Sequence, residues 1–140
     1  MRSLVDGSRL YDTRFMQGLF WATVFQNITG NFSLPDDPES TYTFSATGAV
    51  TRTITLPRLI GNTAFGGQTG LTAAQVTQGV LNGLWLEILN ASTVAANLLQ
   101  AAAAAGDGGG NIGGTIAIGT ATTTTMGQYQ VINGTWFKIL

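Results

Sequence analysis

Val50-Thr51-Arg52-Thr53-Ile54-Thr55-Leu56 and Leu84-Trp85-Leu86-Glu87-Ile88-Leu89-Asn90 are the two stretches on which the fold turns. Neighbouring side chains of a strand point to opposite faces, so an alternation of period two marks a sheet. The first stretch puts Val50, Ile54 and Leu56 on one face and Thr51, Thr53 and Thr55 on the other. The second puts Leu84, Leu86 and Ile88 against Trp85, Glu87 and Leu89. β-Branched and aromatic residues suit a pleated, half-buried surface.

Working outward, the same pattern predicts strands over residues 41–44, 93–99, 115–119, 128–132 and 135–140. Threonine outnumbers even the 19 glycines. Short strands punctuated by Gly and Asn predict a mainly β domain, an antiparallel β-sandwich, jelly roll or barrel. Residues 101–105, all alanine, read as a loop or single turn before the flexible 106–110. No period of 20 to 50 residues is visible, which argues against a solenoid.

One segment departs from the β pattern. Thr72 and Gln75 have capping-box spacing, and Leu71 and Val76 could form a hydrophobic staple. They predict one short inserted helix running to about Asn82, with Gly83 as its stop.

Pro35-Asp36-Asp37-Pro38 reads as a turn-rich linker. It divides residues 1–38, an N-terminal anchor arm and linker, from a β-rich domain over 39–140. The arm holds Arg2, Arg9 and Arg14 and the aromatics Tyr11, Phe15, Phe20, Trp21 and Phe25. Apolar residues at Tyr11, Phe15 and Leu19, and at Met16, Phe20 and Val24, fall at helical spacing. They predict a helix over 12–26, with an extended arm as the rival.

Composition excludes much chemistry. The chain of 140 residues has no Cys and no His. Disulfides, thiol catalysis, histidine bases and histidine-ligated metals are therefore out. Charged residues make up 9%, and the net charge is −1, against about 25% in an ordinary soluble domain. There is no basic patch to neutralise phosphates, so nucleic acid is not an expected partner. The apolar run over 19–25 is too short to span a bilayer. Asp6, Asp12 and Arg14 interrupt any signal-peptide pattern. Synthesis and assembly in the cytoplasm, with no membrane partner, are expected. Sparse charge with a mean hydropathy of +0.23 points to a surface that partners cover.

The motifs suggesting chemistry are weak. Gly108, Gly110 and Gly113 match a dinucleotide fingerprint, but a β-branched segment follows where a helix is required. Asp107 and Asn111 are too few oxygens for calcium within one chain. Asp36, Asp37 and Glu39 sit together in a turn and do not face one another across a cleft. Trp21, Trp85, Trp136, Tyr42 and Tyr129 could stack on sugars, though such aromatics more often fill cores and interfaces. Thr51, Thr53 and Thr55 form one hydroxyl row, where an ice-binding face needs several. Asn27, Asn31, Asn90 and Asn133 head glycosylation-type triplets, expected by chance in a chain this rich in Asn and Thr. Neither a catalytic residue nor a cofactor or metal site is expected.

From about Tyr42 onward the chain resembles a β-structured module of phage fibre, head-fibre and decoration proteins. The likeness lies in Thr55-Leu56-Pro57, then residues 84–90 ending in Asn, then Gly113-Gly114, then Gly134-Thr135-Trp136-Phe137. It departs over residues 58–83. The resemblance implies a homotrimer exposed on a virion, attached to the major capsid or tail protein. On this reading Phe15, Phe20, Trp21, Phe25, Arg9 and Arg14 anchor the particle. Trp136, Phe137 and Ile139 close the sheet or form the oligomer interface. A receptor- or glycan-binding module of a phage tail is the alternative. It would need two or more exposed aromatics on one surface.

Overall fold

The structure, a computed structural model, describes residues 24–48, 50–66, 69–94, 97–116 and 125–140. Among the described residues nine strands form two sheets. They are β1 (Val24–Ile28), β2 (Phe32–Ser33), β3 (Thr41–Ala46), β4 (Arg52–Thr55), β5 (Trp85–Asn90), β6 (Leu99–Ala102), β7 (Asn111–Ile116), β8 (Thr125–Ile132) and β9 (Thr135–Lys138). Two short helices, α1 (Thr63–Gly66) and α2 (Ala73–Thr77), lie between β4 and β5. The first sheet has the order β1-β3-β5-β8-β9 and the second β2-β4-β6-β7.

The mainly β class is as expected, but the sheets are mixed and open where an antiparallel sandwich or closed barrel was predicted. Strands β1 to β6 alternate between the two sheets, and within each sheet they pair in parallel. The chain therefore winds as a two-sheeted coil. Parallel neighbours need a crossover, and here each crossover is a strand of the opposite sheet. The first turn of the coil offsets paired residues by 18 and 22 positions, as in Val24↔Tyr42 and Phe32↔Ile54. The next offsets them by 46 and 47, as in Thr41↔Glu87 and Arg52↔Leu99. The helical segment inserted after β4 makes that difference and erases any repeat from the sequence. Antiparallel pairing then ends the coil, with β7 returning along β6 and the β8–β9 hairpin along β5.

The core lies between the sheets, and the alternation read from sequence builds it. Tyr42, Phe44 and Ala46 of β3, Leu86 and Ile88 of β5, Tyr129 and Val131 of β8 and Trp136 of β9 face Ile54, Leu99, Ala101, Ile112 and Ile116. Fully burying each large aliphatic or aromatic side chain contributes roughly 1.5–3 kcal/mol. The Trp136 indole N–H donates to the Pro57 carbonyl at 3.1 Å, which ties the C-terminal hairpin to the start of the insertion.

Several boundaries move. Val24, Phe25 and Gln26 are strand, so the helix predicted over 12–26 does not reach its expected end. Residues 12–23 of it lie outside the described residues. Strands β1 and β2, within the stretch expected to be arm and linker, pair with β3 and β4. Of the strand expected over 93–99, only Leu99 is strand among the described residues, and Ala101 and Ala102, expected in a loop, continue β6. Ala101 is fully buried. Burial between the sheets and pairing with β4 and β7 decide against helix propensity. Gly113 and Gly114 sit at a register shift, since Gln100 pairs with Thr115 while Ala101 pairs with Ile112. Both glycines have positive φ, the conformation a bulge of this kind needs.

The capping box is formed as read. The Thr72 hydroxyl accepts from the Gln75 N–H, and the Gln75 side chain accepts from the Thr72 N–H. Leu71 and Val76 are both buried. The helix ends at Thr77, short of the predicted Asn82, and Gly79 has positive φ where it stops.

Candidate functional site

The outer face of the first sheet is built by the positions that alternate with the core. The pairing registers align them in rows. One row is Phe25, Thr43, Leu89 and Met126, the next is Thr41, Glu87 and Gln128, and the third is Trp85, Gln130 and Phe137. Ile132 and Thr135 follow beyond the third. Phe25 is 59% exposed, Trp85 37%, Ile132 41% and Phe137 47%, and Ile139 just after β9 is 49% exposed. Large apolar side chains thus recur across four of the five strands.

Among the described residues this face carries one charge, Glu87. The Thr41 hydroxyl donates to one of its carboxylate oxygens at 2.9 Å, and the Gln128 amide donates to the other at 3.3 Å. Its acceptors are thus satisfied within the sheet. A carboxylate held this way costs less to cover than one bonded only to water.

The second sheet presents a different outer face. Ser33, Thr55 and Ala102 form one row, and Thr53, Gln100 and Thr115 another. The Gln100 amide donates to the Thr53 hydroxyl at 3.1 Å. Side chains here are small and hydrogen-bonding, and the threonines do not repeat from strand to strand.

The carboxylates singled out as chemistry hold loops. The Arg58 guanidinium donates three hydrogen bonds to the Asp36 carboxylate, at 2.9, 3.1 and 3.2 Å, and Asp36 also accepts from the Thr63 N–H and hydroxyl. Partial burial pushes its pKa up, but those hydrogen bonds and the Arg58 charge outweigh burial and hold it below the ordinary carboxylate value. Asp107 accepts from the N–H groups of Leu59 and Ile60 at 2.7 and 3.0 Å. Buried Asn62 donates to the carbonyls of Asp36 and Arg58 and accepts from the N–H groups of Ala64 and Phe65. Together they pin the insertion to the turn before β3 and the loop before β7. Among the described residues no cluster of three or more acidic side chains could hold a metal ion, and no helix is long and apolar enough to cross a membrane.

The glycine-rich motif leads into strand β7 and not a helix, so its context is the one read from sequence. Asn90 is buried and donates to the carbonyls of Asn97 and Ile116 at 2.9 Å each. Its side chain is structural and out of reach of modification.

Of the expected anchoring residues, Phe25 sits on β1, the outermost described strand of its sheet, with its side chain exposed. Arg9, Arg14, Phe15, Phe20 and Trp21 lie outside the described residues. The expected interface group divides in two. Trp136 is 1% exposed and belongs to the core, whereas Phe137 and Ile139 belong to the outer face. Sequence reasoning did not select Leu89, Met126 and Ile132, and it singled out Trp85 only as an aromatic that could stack on sugars. A signal existed in residues 84–90, which are apolar on both faces, and in the adjacent pair Val131-Ile132. Comparison with protein families, with curated proteins and with solved structures finds no match for this chain.

Proposed function

We propose that this chain is a virion structural protein, a capsid decoration or short head-fibre component. It acts by oligomerising, as a homotrimer, and attaching to the major capsid or tail protein. The observation that carries the reading is the outer face of the first sheet. Four large apolar side chains, Trp85, Ile132, Phe137 and Ile139, stand exposed around Gln130, and the one carboxylate beside them is already bonded. Exposed large apolar side chains gathered on one face mark protein contacts. The order of motifs along the chain, similar to phage surface modules, supplies the particle. Non-enzymatic action is favoured because Asp36 and Asp107 are engaged in loop contacts.

The test is molar mass in solution by light scattering after size exclusion. The expectation is three times the 14.6 kDa of one chain, dropping to one chain in Phe137→Lys. A wild-type monomer overturns the reading.

A second reading, a glycan-binding module, is favoured by Trp85 and Phe137. They stand in one row with Gln130 between them, two strand spacings or about 10 Å apart. Quenching of tryptophan fluorescence by a sugar panel, lost in Trp85→Ala, would support it. A flat response across the panel would remove it.

A further inference from the structure

The chain contains two Asn-Gly pairs, Asn82-Gly83 and Asn133-Gly134, far apart in sequence and touching in the fold. Asn-Gly is the dipeptide most prone to deamidation, because no glycine side chain impedes attack. The backbone nitrogen of Gly attacks the side-chain Cγ of Asn, and the amide nitrogen leaves as ammonia. A five-membered succinimide forms between that Cγ and the Gly nitrogen. Water then opens the ring to aspartate or isoaspartate.

Each attacking nitrogen here is occupied. The Gly134 N–H donates to the side-chain oxygen of Asn82 at 2.9 Å. The Gly83 N–H donates to the Val131 carbonyl at 2.8 Å, on the strand leading into the other pair. Asn133 and Gly134 form the two-residue turn between β8 and β9, with φ of 51° and 70°, a left-handed pair typical of tight hairpins. That turn is seated against the end of α2, because a Cβ on Gly134 would lie 3.1 Å from the Val76 carbonyl carbon and 3.3 Å from the Thr77 Cα.

We propose that the Asn82-Gly83 segment locks the Asn133-Gly134 turn against succinimide chemistry. Asn133 is the modification site, and the Asn82 side chain is the group that protects it. The lock holds the Gly134 nitrogen in a hydrogen bond and the turn in its left-handed conformation against α2. When the turn lifts from α2, both restraints go together. Isoaspartate at 133 would lengthen the backbone of a two-residue turn and disturb the Ile132↔Thr135 register. It would also add negative charge next to the face that carries Phe137. A protein that persists in an assembled particle gains durability from such protection.

The test is peptide mapping by mass spectrometry on the full chain after incubation in mildly alkaline buffer, following the exchange of amide for acid at Asn133. In the folded wild type, reaction at Asn133 should be far slower than in the same chain held in denaturant. Asn82→Ala should raise the folded rate about fivefold to tenfold, the factor matching loss of one neutral hydrogen bond. Asn82→Asp keeps an acceptor for the Gly134 N–H and should stay near the wild-type rate, which separates the lock from any general loosening. Equal rates in the folded and denatured chain would overturn the proposal. So would an Asn82→Ala rate equal to wild type, or an Asn82→Asp rate as fast as Asn82→Ala.

Discussion

Tyr129 shows how much one atom can matter in this core. Its side chain is wholly buried, and its hydroxyl has no hydrogen-bond partner among the described residues. Burial pushes its pKa up to about 12. Above about pH 10 the unfolded chain loses this proton while the folded one keeps it. The unfolded state then binds fewer protons, and stability falls as pH rises through that window. Tyr129→Phe should remove this alkaline loss and leave neutral-pH stability unchanged or up to about 1 kcal/mol higher, read from denaturant midpoints. Gly127 lies under the same ring, where an added Cβ would come within 2.8 Å of ring carbons. Gly127→Ala should cost about 1–3 kcal/mol by overpacking, seen as a lower midpoint at unchanged slope. Asp36 acts at the opposite end of the pH scale. Its lowered pKa means that its contribution is complete above the unfolded value of about 4 and lost as pH falls through the lower folded value. Asp36→Asn should therefore flatten the acid limb of the stability profile.

Strands and loops are joined by side-chain amides as well as by the ladder. Asn90 at the end of β5 links the carbonyl of Asn97, before β6, to that of Ile116 in β7, and it accepts from the Ser92 N–H. Ser92 in turn accepts from the Ala46 N–H of β3, and Asn97 donates to the Ala46 carbonyl. Three strands and one connection thus share a single polar knot inside the sandwich. Asn90→Ala should cost roughly 2–4 kcal/mol, since it strands buried carbonyls, measurable by chemical unfolding. Sequence placed Asn90 correctly at the end of a strand but gave no hint of its partners, because hydrogen bonds between distant segments leave no local pattern. The capping box of α2 is the contrary case. Both of its partners lie within one turn, so spacing alone revealed it.

At the scale of the whole molecule, the coil has two unlike ends. The β8–β9 hairpin finishes one, with Gly108 bridging to Thr135, while β1 and β2 are the outermost described strands of the other. A deletion meant to test particle anchoring must therefore stop at Thr23, because removing residues 1–30 would also take β1 out of the sheet. Deleting residues 1–23 should leave a folded oligomer that no longer sediments with particles. Wild-type occupancy after this deletion would refute the anchor. What the sequence determined by itself was the set of short-range facts. These are the β class, the inward faces of β4 and β5, the capping box, and the want of histidine, cysteine and charge. Each depends on residues within a few positions of one another, where periodicity and side-chain chemistry are decisive. Tertiary structure alone decided the winding between two sheets, the parallel pairing and the joining of Trp85 to Phe137 on one face. Strand direction and partner depend on contacts across offsets of 18 to 47 residues. An insertion of two small helices changes those offsets freely, while each strand keeps the same alternating residues.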